Sequence, residues 1–225
     1  MNRKFFKTSL LSAALLLGIA PASQAGTGDL ALGIKAGTLG IGGEVTVGLL
    51  PGLNARAGYN GFNYNGSATK DNIDYGYTLK LATVPLLLDL HPFPTSSFRL
   101  SGGIIVNNNK TDASGKPQGS YTIGGTTYTA AEVGSLTGKI EFNSTAPYLG
   151  IGWGNAVAKG SPIKISFDAG VMFQGTPKVS LTGNGSLASD PTFKANVAKE
   201  EATIRDTTDN LKYYPVVALG VAYKF

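Results

Sequence analysis

The sequence predicts an all-β fold: a transmembrane, antiparallel up-and-down β-barrel of about eight strands, with one amphipathic helix in its last long loop. Three observations carry this expectation. Apolar residues alternate with small or polar ones along most of the chain, the period of two of a strand with one apolar face. The spacers between these runs are in turn long and short. Aromatic residues gather at the two ends of the runs, as in a barrel seated between two membrane–water interfaces.

Met1 to Ala25 reads as a cleaved secretory leader. Arg3, Lys4 and Lys7 form its charged part, Leu10 to Ala20 its apolar part and Ser23-Gln24-Ala25 a small-x-small cleavage site. The apolar part is shorter than the roughly 20 residues of a spanning helix. Removing the leader lowers the formal charge from +5 to +2, because it carries three cations and no acid. No basic stripe survives, so a nucleic-acid partner is not expected. With no cysteine in the chain, a lipid-modified cysteine and a disulfide are excluded. Residues 26–225 form the expected barrel domain.

Taken in order, Leu30, Leu32, Ile34 and Ala36 share one face of the first strand. From Leu39 the apolar phase moves to Leu39, Ile41, Val45, Val47 and Leu49. The slip within Gly37-Thr38-Leu39-Gly40 predicts a tight hairpin, since a one-residue shift exchanges faces. After the turn at Leu50-Pro51-Gly52-Leu53, Ala55, Ala57 and Tyr59 face outward and Asn54, Arg56 and Gly58 inward. A polar loop is expected over 65–74. Tyr75 to Leu90 returns, with a phase slip and an expected bulge near Pro85. His91-Pro92-Phe93-Pro94 is a turn, and Phe98, Leu100, Gly102, Ile104 and Val106 face outward beyond it. Residues 108–146 form a long polar connection with a small hairpin about Gly124-Gly125. Leu149, Ile151 and Trp153 mark another strand. The run from Ile163 through Phe173 to Leu181 is expected as one strand projecting beyond the bilayer. Asp190-Pro191, followed by Phe193, Val197, Ile204 and Leu211, predicts a capped helix with Glu200, Glu201, Arg205, Asp206 and Asp209 on its wet face.

The last strand ends in Leu219, Val221, Tyr223 and Phe225 at alternate positions. This ending resembles the carboxy-terminal assembly signal of bacterial outer-membrane barrels. Gly33-Ile34-Lys35-Ala36-Gly37-Thr38-Leu39-Gly40, His91-Pro92-Phe93, Phe98-Arg99-Leu100-Ser101-Gly102-Gly103 and Ala146-Pro147-Tyr148-Leu149-Gly150-Ile151-Gly152-Trp153-Gly154 are similar to strings in a group of proteobacterial outer-membrane proteins without assigned activity. The likeness covers most of 29–225 and is to small eight-stranded Gram-negative barrels. It implies a periplasmic carboxy-terminal strand end and insertion by the barrel-assembly machinery with periplasmic chaperones. It also implies a surrounding of outer-membrane lipid and lipopolysaccharide, and it carries no activity across. The orientation makes 50–52, 91–97 and 156–162 the short periplasmic turns and 65–74, 108–146 and 175–211 the external loops. An even strand count then requires the hairpin at 37–40. The outer aromatic girdle is expected at Tyr59, Phe62, Tyr64, Tyr75, Tyr77, Tyr148, Phe173 and Tyr213, and the inner one at Phe93, Phe98, Trp153, Tyr223 and Phe225. A soluble eight-stranded barrel would invert the alternation, with its apolar residues inside.

Residues with catalytic chemistry do not gather. His91, the single histidine, has Asp89 on its strand face and Ser96 and Ser97 after it, types that suit nucleophilic or acid–base chemistry. The topology puts them in a periplasmic turn, whereas the family's enzymes work at the outer rim. Asn107 to Asp112 has a single carboxylate and no calcium-loop spacing, so no metal or cofactor is expected. What does gather is charge on the inward faces: Lys35, Glu44, Arg56, Lys80, Arg99, Lys164 and Asp168, with Asp89 near the periplasmic end. Unpaired charge away from water costs several kcal/mol, so these should pair. Glu44 with Arg56, Arg99 close by, and Asp168 with Lys164 or a basic residue of a neighbouring strand are the expected contacts. Inward glycines such as Gly33, Gly58, Gly103, Gly150, Gly152 and Gly170 leave room for water or a thin ligand. The expected function is a non-enzymatic barrel with a structural or surface-interaction role and a plugged lumen. A narrow conduit for small, even apolar, solutes gated by the external helix is the alternative, and a lipid-modifying enzyme the weakest reading.

Overall fold

The computed structural model describes residues 26–70, 73–117 and 119–225, without the side chains of 68–70, 73–75, 116 and 117. The leader expected over 1–25 and the side chain of Tyr75 lie outside this description. The strands are β1 (Leu30–Gly37), β2 (Gly40–Leu50), β3 (Leu53–Lys70), β4 (Ile73–Leu90), β5 (Phe98–Asn107), β6 (Lys110–Pro117), β7 (Ser120–Ile123), β8 (Thr126–Thr129), β9 (Leu136–Glu141), β10 (Thr145–Trp153), β11 (Ile163–Phe173), β12 (Lys178–Gly183) and β13 (Tyr213–Lys224). Helix α1 (Ala130–Val133) follows β8, and α2 (Pro191–Thr207) precedes a 3-10 turn at Asp209–Lys212.

Eight strands close on themselves. Starting from β1, each pairs antiparallel with the next through β2, β3, β4, β5, β10, β11 and β13, and β13 returns to β1 from Ala31↔Lys224 to Gly37↔Ala218. Closure removes both edges, which is what a sheet in hydrocarbon requires. The alternation is that of a membrane barrel. Ile34, Leu49, Leu88, Ile151, Ile165 and Val221 are exposed on the outside, while Glu44, Arg56, Asp89, Arg99 and Asp168 are buried inside. At the short-turn end the exposed aromatics include Phe93, Trp153, Tyr223 and Phe225; at the other they include Tyr59, Phe62, Tyr64, Tyr77, Phe173 and Tyr213. Tyr223 and Phe225 meet edge to face at 5.3 Å, as do Phe173 and Tyr213 at 5.9 Å.

Above the long-loop end the sheet continues outside the barrel. The chain leaves β5 at Asn107, and β6 pairs with the upper half of β4 from Ile73↔Pro117 to Lys80↔Lys110. β9 then adds to β6 and β12 to β9. The polar segments expected as loops at 65–74 and 108–146 are therefore largely strand. They had no alternating apolar signal because neither lipid nor lumen faces them. The run expected as one strand from Ile163 to Leu181 is two, broken at 174–177, and β12 belongs to the extension. The hairpin at Gly124-Gly125 is present between β7 and β8, both glycines at positive φ (58° and 89°), the two-residue turn whose twist matches its strands.

A small core holds the extension together: Tyr121, Ile123, Tyr128, Val133, Phe193 and Val197. Helix α2 begins as expected, with the Asp190 side chain accepting the Phe193 N–H at 2.8 Å and Pro191 in the first turn. It packs on β12 and β7. Glu200 and Glu201 do not stay on a wet face. Glu200 accepts the Gly124 N–H at 3.1 Å and Glu201 the Leu181 N–H at 2.7 Å, covering a free donor of the edge strand.

Candidate functional site

The barrel interior is the place where polar chemistry concentrates, and its contents are ordered by height. Along β5 the inward residues Arg99, Ser101, Ile105 and Asn107 sample successive levels from the short-turn end upward. Every second residue of a strand faces one side, so each level is filled by one or two residues from each strand.

The lowest level is a cork. The turn between β10 and β11 folds back into the barrel mouth, burying Val157 completely against Ala31 and Ala222. Asn155 accepts from Asn54 Nδ2 at 3.1 Å and from the Val157 N–H at 3.2 Å through its Oδ1. Lys164 reaches this turn, donating to the Lys159 carbonyl at 3.0 Å. His91 is buried beside it, its backbone N–H donating to the Gly52 carbonyl at 2.7 Å. Burial pushes the His91 imidazole below its ordinary pKa, and the nearby Arg99 guanidinium adds to the effect against the opposing pull of Asp89.

Above the cork lies a six-residue charge cluster with three cations and three anions. Arg56 is at its centre. Its Nη1 and Nη2 donate to Asp168 Oδ2 and Oδ1 at 3.0 and 3.1 Å, a bidentate pair. Its Nη2 also donates to Asp89 Oδ1 at 3.0 Å, and Nε lies 3.0 Å from Asp89 Oδ2. Glu44 is 3.5 Å from Arg56 Nη1 and accepts from Lys35 Nζ at 2.8 Å. Arg99 donates to Asp168 at 2.7 Å and to the Gly154 carbonyl, tying the cluster to the cork. Ser101 Oγ donates to Asp89 at 2.5 Å. Each carboxylate is thus shared between two or more donors, as ions removed from water require.

An apolar layer lies over the charges: Leu39, Leu87, Ile105, Ala146, Tyr148, Met172 and Val216. Above it Asn107 Nδ2 donates to Gln174 Oε1 at 3.3 Å, Gln174 Nε2 to the Leu211 carbonyl at 2.7 Å, and Asn60 to Thr83 at 3.2 Å. The spaces left inside hold about 20 Å³ beside Lys35, Arg56 and Tyr148 and about 10 Å³ beside His91 and Arg99. Each is on the scale of a single water.

The structure brings together Lys35, Glu44, Arg56, Arg99 and Asp168 of the expected lumen residues and adds Asp89 as a full member. The pairing partner of Asp168 is corrected: it meets Arg56 and Arg99 across the interior, while Lys164 bonds to the cork. Lys80 is also corrected. It stands half-exposed in the extension, 3.9 Å from Asp112, and takes no part in the cluster. The register of β3 with β4 is constant from Leu53↔Leu90 to Lys70↔Ile73, so the expected bulge at Pro85 is absent. The apolar residues change side there, with Leu87 turned inward, while the backbone does not slip. Tyr148, expected in the outer girdle, and Leu39, expected on the lipid face, both fill the interior.

Three of the inward glycines, Gly150, Gly152 and Gly170, make room for side chains. A Cβ at Gly170 would lie 2.5 Å from the Tyr148 hydroxyl, and one at Gly152 would lie 2.7 Å from Arg99 Nε. Leu219, Val221, Tyr223 and Phe225 are all exposed on the outside, as the terminal-strand pattern predicts. Among the described residues, no group of three or more His, Asp or Glu side chains is placed to hold a metal ion.

A closed barrel of eight strands has known counterparts. The fold is shared with CarO. CarO2 of Acinetobacter baumannii matches with a TM-score of 0.58 and 23% identity, over 88% of this chain and 98% of that one. CarO of the same organism gives 0.56 and 22%, over 87% and 97%. The fold is thus a closed, eight-stranded antiparallel β-barrel of the CarO type, and at these identities the likeness to CarO is one of fold. No family model matches the sequence, and no curated protein matches it significantly.

Proposed function

We propose that the protein is a closed, non-enzymatic outer-membrane barrel whose role lies in the envelope and at its surface, not in passing solutes. The observation that carries this reading is the balanced charge cluster around Arg56, stacked between a cork and an apolar layer, with the spaces beside it among the described residues about 20 and 10 Å³. An eight-stranded interior is just wide enough for side chains to fill. The short turns face the periplasm and the extension faces outward, the usual arrangement of such barrels. Lipid and lipopolysaccharide surround the apolar band. The extension, built on a core of its own, is the part offered to partners.

Gating by the helix has little support, since α2 packs on β12 and β7. An enzymatic reading is weakened by His91, which lies at the periplasmic mouth and is buried beneath the charge cluster.

Flux of small solutes into proteoliposomes tests the reading. The unmodified protein is expected to admit neutral and charged solutes no faster than empty liposomes, and Arg56→Ala or Glu44→Ala to raise the rate. Fast uptake by the unmodified protein, unchanged in both variants, would contradict it.

A further inference from the structure

A row of charge crosses the extension where it meets the barrel. The register places Asn63 opposite Lys80, Lys80 opposite Lys110, Lys110 opposite Glu141 and Glu141 opposite Lys178, one residue from each of five adjacent strands. Two residues further up, Asp112 stands opposite Lys139. By strand alternation these side chains share one face, the continuation of the barrel's lipid face, and they comprise four lysines and two carboxylates. Like charges directly opposite on neighbouring strands destabilise a sheet, and Lys80 and Lys110 are such a pair. The acids do little to relieve them. Asp112 is 3.9 Å from Lys80, and Glu141 turns to Lys139 at 2.7 Å. Among the described residues, Lys110 and Lys178 have no ion-pair partner.

Lys80, Lys110 and Lys178 line a groove of about 680 Å³ together with Glu141, Tyr59, Phe62 and Asn108. Its height is set by β4. Lys80 is ten residues above Leu90, about 33 Å along the strand and about 25 Å in height at a tilt of about 40°, the full depth of a barrel's apolar band. The row therefore stands at the level of lipid headgroups, next to the aromatic girdle. Much lower on the lipid face, about 15–20 Å beneath Lys80 at the same tilt, Ala55, Ala57 and Gly102 of β3 and β5 form a separate trough of about 460 Å³ between Val45, Leu86, Leu88 and Ile104. A free anion gains nothing from a site at headgroup depth, whereas an acylated phosphate is held at that depth by its chains, which lie against the apolar face below.

We propose that this groove binds the phosphorylated sugar headgroup of an outer-leaflet glycolipid, its phosphate held by Lys80, Lys110 and Lys178 and its acyl chains lying against the apolar face just below. The proposal rests on the outward orientation of the extension. It does not depend on whether the lumen conducts, so the two readings fail separately.

Native mass spectrometry of the full protein in mild detergent tests it, with bisphosphorylated lipid A and its dephosphorylated counterpart as probes. The protein should retain the bisphosphorylated form at least about tenfold more strongly, and Lys110→Glu with Lys178→Glu should abolish the preference. Ala57→Trp, which fills the lower trough and leaves the lysines, should retain both lipids like the parent. A heat-dependent gel shift shows that each variant is folded. Equal retention of the two lipids, or a double lysine variant that binds like the parent, would overturn the proposal. Displacement of lipid A by millimolar inorganic phosphate would assign the groove to the free anion and overturn it too.

Discussion

Arg56 concentrates the energetics of the interior, because it touches all three acids of the cluster. Truncating it would leave Glu44, Asp89 and Asp168 with one cation fewer in a site buried away from bulk water. Breaking a buried network from one side costs about 3–5 kcal/mol. Arg56→Ala is therefore expected to lower the midpoint of urea unfolding, read by the heat-dependent gel shift, more than any single change on the lipid face. His91 gives a second prediction at this scale. Burial lowers its folded pKa below the ordinary 6.5, so below that pH the unfolded chain binds a proton that the folded chain refuses. The contribution of this residue is complete above pH 6.5 and is lost as the pH falls. Stability measured from pH 7.5 to 5 should fall less steeply in His91→Gln than in the parent. Glu44, Arg56, Arg99 and Asp168 were legible in the sequence because a charge on the face opposite an apolar stripe has only the interior to enter. Lys80 was misplaced because apolar residues, not the backbone, change side on β4. Which acid meets which base across the lumen depends on barrel closure, which no local pattern encodes.

At the scale of elements, the eight barrel strands were legible where one face meets lipid and the other the packed lumen. β6, β9 and the upper ends of β3 and β4 (65–70 and 73–74) were not, since they stand beyond the apolar band and the alternation fades although the ladder continues. The cap of α2 could be read from Asp190-Pro191, but the use of Glu200 and Glu201 as acceptors for β-strand and turn donors could not. The extension has a core separate from the lumen, with Phe193 meeting the Tyr128 ring edge to face at 5.2 Å. Phe193→Ala should remove about 3–5 kcal/mol from that core alone. Protease added to intact cells is then expected to cut between 119 and 140 or within 184–207 far faster than in the parent, while the remaining barrel keeps its gel shift. Loss of the gel shift together with the cuts would show that extension and barrel unfold as one.

For the whole molecule, the exterior and interior agree on one account. The outside is an apolar band between two aromatic girdles, and the inside is a stack of cork, balanced charge, apolar layer and amides. Of the glycines that the sequence offers as lumen space, Gly150, Gly152 and Gly170 are taken up by Arg99 and Tyr148. The central claim is that this lumen is closed, and single-channel recording in planar bilayers addresses it most directly. The unmodified protein should show no steady conductance, and Arg56→Ala should open brief or continuous current through the site it vacates. Steady, large conductance from the unmodified protein, indifferent to Arg56→Ala and Glu44→Ala, would contradict the account.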